Sequence, residues 1–304
     1  MVSFVLMGWR GFFIKYMGEI KMEKRITGHT ELLGLIATPI RHSKSPVMHN
    51  AACRALGLDY AYLAFDIQPD QLEDAVKGFK ALNVSMPYKT TIGQYLDHIT
   101  PIAKMCGAIN TVINDHGVLT GTITDGTGYM TALKDQGIDI IGKKMTIVGA
   151  GGAATAIVMQ AALDGVKEIS IFNIKDASWD RALENVEKIN SQTQCKAQLF
   201  DLNDHETLRK EINESVIFTN ATNVGMGKLE GQMVLPDTSY LRKDLIVSDV
   251  IYMPEKTKLL EEAEKIGCKT INGLGMMLYQ GAASFKLWTD QDMPIDVVKE
   301  ALDF

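Results

Sequence analysis

The sequence predicts an α/β protein with two domains and a cleft between them. The chain has 304 residues, and because domains usually run to roughly 100–200 residues, two are expected. From Glu31 onwards, strand-like and helix-like segments alternate along the chain. A glycine-rich loop, 149–154, lies directly between a predicted strand and a predicted helix. Strict alternation of this kind predicts a parallel sheet that is covered by helices on both faces.

The first half of the chain contains a mixed series of elements. Apolar and aromatic runs predict strands at 32–38, 60–67, 83–86, 109–114 and 118–122. Helical spacing predicts helices at 46–57, 70–82 and 128–134. In this interpretation the helix over 70–82 runs directly into the strand at Asn83.

The second half predicts the regular series of an open parallel sheet. Its strands are expected at 144–148, 168–172, 197–200, 216–221 and 245–250, and its helices at 153–163, 179–189, 206–212, 259–266, 276–288 and 296–302. We place the domain junction near 124–142. The first domain is then discontinuous, 22–124 with 273–304, and the second covers 125–272. Ligands of open α/β sheets bind beyond the carboxyl ends of the strands, so the cleft is the expected site.

Composition excludes several classes of function. The net charge of −6 argues against nucleic acid as the main partner, because phosphate contacts require basic surfaces. The four cysteines, Cys53, Cys106, Cys195 and Cys268, form no CxxC pair and have no histidine at metal-ligand spacing. We therefore expect reduced thiols, a cytoplasmic protein and no bound metal. No apolar run reaches the ~20 residues of a membrane span, and 1–21 is expected to be a disordered extension before Met22.

The glycine-rich loop matches the dinucleotide-binding pattern G-x-G-x-x-A. Gly149 allows a tight turn, Gly151 lets the backbone approach a pyrophosphate, and Ala154 lets the helix pack close to the strand. The helix N-terminus attracts the anion. The predicted cofactor-binding loop is Gly149, Ala150, Gly151, Gly152, Ala153 and Ala154. The alternative is a purely structural glycine turn.

The end of the second strand of this unit indicates which dinucleotide binds. An acidic side chain there favours a free ribose 2′-hydroxyl, whereas a basic one favours a 2′-phosphate. Asn173, Lys175 and Asp176 lie at this position. Asp176 favours NAD, and Lys175 leaves NADP open. The alternative is a solvated turn without a ligand.

Several short polar stretches stand out at strand and helix edges. They are 42–46 (HSKSP), 83–89 (NVSMPYK), 107–111 (GAINT), 124–126 (TDG) and 279–281 (YQG). Together with the loop at 149–154, these motifs resemble the shikimate/quinate dehydrogenase family, in the family's order, from about Met22 to the C-terminus. The resemblance implies a substrate domain, a Rossmann domain and reversible hydride transfer between NAD(P) and the ring 3-hydroxyl of shikimate or quinate. It also implies a role in aromatic amino acid biosynthesis and a homodimer or a monomer.

Oxidation of a secondary alcohol requires a group that takes the hydroxyl proton. A free lysine is too basic for this role at neutral pH unless a partner or desolvation assists it, or the proton is relayed onward. A lysine and an aspartate on one substrate hydroxyl could share the proton between them. The resemblance assigns this catalytic pair to Lys89 and Asp125.

The resemblance also assigns the substrate contacts. It implies that Ser43, Ser45 and Tyr252 bind the carboxylate, although Ser45 could equally be only a helix N-cap. Asn110 and Gln280 offer donors and acceptors for ring hydroxyls, and Ser85 adds a hydroxyl. The cofactor set further includes Thr222, Gly273 and Met276, although a methionine at helical spacing is more often part of a core.

Three departures from the family pattern are expected to matter. The connection before Asn83 is shorter than usual, Ile123 replaces an asparagine beside Asp125, and Ile174 replaces an arginine of the ribose loop. Two other functions stay open: a Rossmann oxidoreductase on a related polyol acid, and a non-catalytic dinucleotide-binding regulator.

Overall fold

The computed structural model describes residues 26–41 and 43–303. The predicted extension at 1–21, the start at Met22 and His42 of the first polar motif lie outside the described residues. The strands are β1 Glu31–Ala37, β2 Tyr60–Asp66, β3 Ala81–Val84, β4 His98–Ile99, β5 Thr111–Asp115, β6 Val118–Thr122, β7 Lys144–Val148, β8 Glu168–Asn173, β9 Lys196–Asp201, β10 Ile217–Asn220, β11 Ile246–Asp249 and β12 Lys269–Ile271. The α-helices are α1 Ser45–Leu56, α2 Leu72–Lys77, α3 Pro101–Cys106, α4 Asp125–Asp135, α5 Gly152–Asp164, α6 Trp179–Gln192, α7 His205–Glu214, α8 Lys258–Ile266, α9 Leu274–Thr289 and α10 Ile295–Ala301.

The first six strands form one mixed sheet in the order β2-β1-β3-β5-β6-β4. Strand β1 pairs in parallel with β2 and β3, whereas β5 pairs antiparallel with both β3 and β6. The short strand β4 and the helix α3 were not predicted from the sequence. The carboxyl end of β3 lies in the middle of this sheet, and the chain that follows it carries Lys89.

The predicted helix over 70–82 is wrong in its second half. The helix α2 ends at Lys77, and β3 begins at Ala81. All four residues of β3 are buried, because the strand lies between two others and is covered on both faces. An apolar run without alternation is typical of such a strand, and it was mistaken for the end of a helix. Residues 78–80 form a connection, so the prediction that the helix runs directly into the strand is also wrong.

The last six strands form a fully parallel sheet in the order β12-β11-β10-β7-β8-β9. This is the doubly wound strand order of a Rossmann fold. Successive strands are added on one side of β7 as far as β9, and on its other side from β10 onwards. The predicted glycine loop follows β7, which pairs with β8 and β10 in the centre of the sheet. The α/β class with a parallel second sheet is therefore confirmed, and β12 is an edge strand that was not predicted.

The C-terminal helices return to the first sheet. Leu278 and Phe285 of α9 and Val298 of α10 share a buried cluster with Leu33 of β1 and Met48 of α1. This packing supports the division into 22–124 with 273–304 and 125–272, which we retain as a proposal. Among the described residues, no helix is both long and apolar enough to cross a membrane.

Candidate active site

A cavity of about 490 Å³ lies where the two sheets face each other. Predicted site residues from both sequence halves line it: Ser43, Ser45, Ser85, Lys89, Asn110, Asp125, Ala153, Tyr252, Gly273, Met276 and Gln280. Another cavity, of about 670 Å³, lies between the end of α4, the helix α8 and the start of α9. Its walls are formed by other residues, so cavity size alone does not identify the site.

Lys89 and Asp125 form an ion pair in the cleft. The Lys89 Nζ lies 2.6 Å from the Asp125 Oδ2, and their side chains are 23% and 11% exposed. Lys89 lies on a 3-10 turn after Pro87, and its carbonyl accepts a hydrogen bond from the Ile109 N–H. Asp125 is the first residue of α4. The pair is accessible from the cleft but shielded enough for a strong interaction.

Asn110 holds the other carboxylate oxygen of Asp125. Its Nδ2 donates to the Asp125 Oδ1 at 2.8 Å and to the Gln280 Oε1 at 3.2 Å. Its Oδ1 accepts from the Thr124 N–H at 2.9 Å, which fixes the direction of the amide. Ile123 is buried in the core, and Asn110 supplies a polar neighbour of Asp125. The structure thus brings Asn110 and Gln280 together beside the predicted catalytic pair.

The helix α4 connects this pair to the predicted cofactor loop. It packs on α5, and a β-carbon on Gly126 would collide with the carbonyl oxygen of Ala156 in α5. Because α5 begins at Gly152, directly after the turn, the position of Asp125 is fixed relative to the loop.

Ser43 and Ser45 lie at the start of α1. The residue before this helix is Lys44, and no side chain caps it. Ser45 is therefore not the N-cap, and the alternative that it only caps α1 is wrong. Burial raises the pKa of the nearby Tyr62 hydroxyl well above its usual range, and the Ser45 side chain acts in the opposite direction. Both serines and Ser85 line the cavity, as a carboxylate-binding group requires.

The loop that carries Tyr252 is anchored by Asp249, a residue that the sequence analysis did not select. The Asp249 carboxylate is buried and accepts hydrogen bonds from the Ile251 N–H, the Asn220 amide and the Thr257 hydroxyl. Desolvation raises its pKa, and these hydrogen bonds act in the opposite direction. A polar residue at the carboxyl end of a central strand was the available signal.

The glycine loop has the geometry that a dinucleotide pyrophosphate requires. Gly149 has φ +115°, and a β-carbon there would lie 2.7 Å from the Ala221 carbonyl oxygen. Gly151 and Gly152 are exposed, with open space where β-carbons would be, so a phosphate can approach the N-terminus of α5. Ala154 is buried against the sheet. The residues therefore fit a bound dinucleotide.

The predicted ribose-binding residues are held mainly by contacts within their own turn. The Asp176 carboxylate accepts from the N–H and hydroxyl of Ser178 and from the Asn173 amide, and these bonds lower its pKa. Lys175 lies 3.4 Å from Asp201 and over the Trp179 ring. Their roles in cofactor binding stay predictions.

Arg181 was missed by the sequence analysis. Its guanidinium donates a hydrogen bond to the Ala150 carbonyl oxygen at 3.1 Å, so a cation lies against the glycine loop. Arg181 lies on α6, eight residues after the end of β8, and no sequence motif marks this position as part of a cofactor site. Thr222, on the far side of the loop, donates its hydroxyl to the Asn220 Oδ1 at 2.7 Å.

Comparison with known proteins decides the family. The family model described as shikimate dehydrogenase substrate binding domain matches residues 35–112, and the one described as shikimate 5'-dehydrogenase C-terminal domain matches residues 273–302. The shikimate dehydrogenase (NADP(+)) of Listeria monocytogenes serotype 4b (strain F2365) is 66% identical over 287 residues, which cover 93% of this chain and 99% of the relative. The chain belongs to the shikimate dehydrogenase family.

Further similar proteins support this assignment. The shikimate dehydrogenase (NADP(+)) of Streptococcus uberis (strain ATCC BAA-854 / 0140J) is 54% identical over 289 residues, 92% of this chain and 98% of the relative. The crystal structure of shikimate 5-dehydrogenase from Listeria monocytogenes in complex with shikimate and NAD has a TM-score of 0.90 and 65% identity, over 93% of this chain and 99% of that one. The predicted family is confirmed, and this member of the shikimate dehydrogenase family is an oxidoreductase.

Proposed function

We propose that this protein catalyses the reversible oxidation of the ring 3-hydroxyl of shikimate, with a nicotinamide dinucleotide as hydride acceptor, in aromatic amino acid biosynthesis. The observation that carries the proposal is the Lys89–Asp125 pair, 2.6 Å apart in the cleft beside the glycine loop. The family membership and the shikimate-bound relative support the choice of substrate. Quinate is the alternative substrate that the sequence leaves open.

The residues of the cleft divide the reaction between binding and proton transfer. Ser43, Ser45 and Tyr252 hold the substrate carboxylate and so set the position of the ring. Lys89 and Asp125 contact the reacting hydroxyl, and its proton passes to this pair as the hydride leaves the carbon. A bound nicotinamide dinucleotide supplies the hydride acceptor.

Asn110 and Gln280 orient the remaining ring hydroxyls. Asn110 donates to both Asp125 and Gln280, so it is placed between the proton-transferring carboxylate and the wall formed by α9. These contacts act before the chemical step, since a ring that is held in one orientation presents one carbon to the nicotinamide.

For the dinucleotide we propose NADP as the preferred form, with NAD also accepted. The sequence favoured NAD because of Asp176, but the Asp176 carboxylate is engaged by Ser178 and Asn173. Arg181 adds a cation against the glycine loop, and Lys175, which lies 3.4 Å from Asp201, adds a second one at the end of β8, where a 2′-phosphate would bind. The names of the two similar dehydrogenases, which specify NADP(+), agree with this preference.

The test is a steady-state matrix of two substrates, shikimate and quinate, by two cofactors, NADP⁺ and NAD⁺, with the full chain. We expect turnover of shikimate with both cofactors and a higher kcat/KM with NADP⁺. Fluorescence titration with NADPH runs in parallel. Cofactor binding without turnover of either acid would contradict the proposal and would favour the non-catalytic regulator.

A further inference from the structure

Beneath the cleft lies a group of buried polar side chains that the proposed chemistry does not use. Ser284, on α9, is completely buried, and its Oγ lies 2.7 Å from the Thr111 Oγ1, 3.1 Å from the Asn83 Nδ2 and 3.2 Å from the Thr124 Oγ1. The Gln280 carbonyl oxygen, 3.1 Å from the Ser284 Oγ, is a second acceptor within reach of its one proton. Through these contacts Ser284 connects the helix α9 to the strands β3 and β5 of the first sheet.

The available protons give these hydrogen bonds a direction. The Tyr62 hydroxyl donates to the Asn83 Oδ1 at 2.8 Å, and the Asn83 Nδ2 donates to the Ser284 Oγ. The single proton of Thr111 is used on the Asn110 Oδ1 at 2.8 Å. Thr111 then accepts from Ser284, whose one proton goes to Thr111 rather than to the Gln280 carbonyl because their 2.7 Å contact is the shorter of the two.

The chain of donors ends on the predicted catalytic carboxylate. Asn110, which accepts from Thr111, donates through Nδ2 to the Asp125 Oδ1 at 2.8 Å. The Thr111 hydroxyl and the Thr124 N–H both donate to the Asn110 Oδ1. These two bonds hold the amide in one orientation, because a flipped amide would place its oxygen against the Asp125 carboxylate. Aligned hydrogen bonds also polarise one another, so each donation strengthens the next. The Asp125 Oδ2 is left to Lys89.

We propose that Ser284 is a positioning residue, which holds Asp125 in its reactive orientation through Thr111 and Asn110. The inference rests on the proposed function, because it assigns Asp125 to proton transfer. Thr124 N–H holds the same Asn110 oxygen independently, so loss of Ser284 weakens the arrangement without abolishing it.

Ser215, which does not line the cleft, provides a matched control. It is also buried, contacts a threonine hydroxyl (Thr146 Oγ1, 2.8 Å) and donates to the carbonyl four residues earlier (Glu211, 2.8 Å). It lies at the amino ends of the second sheet's strands, away from the cleft. A general cost of removing a buried hydroxyl should appear equally in both variants.

The experiment compares Ser284→Ala, Ser215→Ala and Ser284→Thr in the full chain, with shikimate and NADP⁺. We expect kcat of Ser284→Ala to fall about fivefold, the effect of losing one hydrogen bond of ordinary strength. The KM for shikimate and the Kd for NADPH should stay within twofold, roughly, of the wild-type values. Ser215→Ala should keep its kcat, and Ser284→Thr, which restores the hydroxyl, should recover it.

A kcat of Ser284→Ala equal to that of the wild type would overturn the inference, as would an equal loss in Ser215→Ala. If Ser284→Ala does not fold, Ser284→Cys replaces it, because a thiol keeps the shape and donates weakly. A crystal structure of the variant gives a readout that does not depend on turnover: the Asn110 Nδ2–Asp125 Oδ1 distance should lengthen from 2.8 Å, while staying within the ~3.5 Å limit of a hydrogen bond. An unchanged distance would contradict the inference, whereas a wild-type protein that does not turn over shikimate would contradict the proposed function.

Discussion

At the residue scale, the two groups that the proposed proton transfer needs are 36 positions apart in the chain and 2.6 Å apart in space. Lys89 follows a central strand of the first sheet, and Asp125 begins the helix that leads towards the second. Neither residue is unusual alone. Their juxtaposition, together with the amide of Asn110, makes the cleft suited to an alcohol and its proton.

Arg181 provides a prediction about cofactor preference. Replacement by alanine removes a cation beside the glycine loop, so kcat/KM with NADP⁺ should fall about tenfold or more while kcat/KM with NAD⁺ changes little. Steady-state kinetics with both cofactors measure the ratio. Arg209→Ala, whose side chain lies over the Tyr240 ring, is the control. Equal losses with the two cofactors would assign Arg181 a structural role.

The sequence motifs selected Lys89, Asp125 and Asn110, because each lies in a short pattern that resembles the family, and the structure brings these three side chains together. Thr111 lies in the same motif as Asn110 but was given no role, and Tyr62 and Ser284 lie in no motif. Their side chains meet only because β3 pairs with β5 and α9 packs beneath them. The contact of Arg181 with Ala150 could not be predicted either, since it depends on which face of α6 packs against the glycine loop.

At the element scale, the strand-turn-helix unit β7–α5 positions the cofactor loop. Two of its glycines have different physical roles. Gly149 adopts the left-handed region, and a side chain there would meet Ala221, whereas Gly151 has an ordinary φ of −72° and open space. Gly149 is therefore required by the fold, whereas for Gly151 we propose a role in ligand binding.

Alanine at each position separates the two roles. Gly149→Ala should lower the free energy of unfolding by about 1–3 kcal/mol because of backbone strain. Gly151→Ala should leave that free energy within about 0.5 kcal/mol of the wild type. It should nevertheless raise the Kd for NADPH about tenfold or more, since the methyl group occupies the path of the pyrophosphate.

Urea unfolding and NADPH fluorescence titration measure the two effects. If Gly151→Ala binds NADPH as tightly as the wild type, the cofactor does not approach the loop at this point.

Element prediction succeeded where periodicity was clear and failed where burial removed it. Strand β7 was predicted with its correct bounds, because an apolar run is followed directly by glycines, and the helix after the loop begins at Gly152, one residue earlier than predicted. The first two residues of β3, Ala81 and Leu82, were assigned to a helix because all four residues of the strand are buried and show no alternation. The strand β4 has only two residues, too few for a pattern.

At the scale of the whole molecule, His49 makes stability depend on pH. Within the described part of the chain neither ring nitrogen has a hydrogen-bond partner, and the ring stacks on Tyr62 at 4.4 Å. Desolvation lowers the pKa of His49 to about 3, although the nearby Asn83 side chain acts in the opposite direction. In the unfolded chain this histidine binds a proton below about pH 6.5, whereas in the folded chain it stays neutral down to about pH 3. Its contribution to the free energy of unfolding is therefore fully present above pH 6.5, roughly, and is lost as the pH falls towards 3.

Between pH 7.5 and 5.5, this histidine should lower the free energy of unfolding by about 1.4 kcal/mol. His49→Phe keeps an aromatic ring and removes the titration, so the variant should lose that much less than the wild type over the same range. Urea unfolding at both pH values gives the difference. The exposed His116, replaced in the same way, is the control. Identical pH dependence in His49→Phe and the wild type would contradict the assignment.

At this scale, residues that follow strands of both sheets line the cleft, and α9 contributes Met276 and Gln280 to its lining. The proposed reaction requires Lys89 to take part in the chemical step.

The most direct test is kcat of Lys89→Ala with saturating shikimate and NADP⁺, beside Lys104→Ala, which removes an exposed lysine from α3. We expect kcat of Lys89→Ala to fall about 10²-fold or more, as for the loss of an acid–base group, with the Kd for NADPH unchanged. Lys104→Ala should retain full activity. A Lys89→Ala enzyme with near-normal kcat would contradict the account.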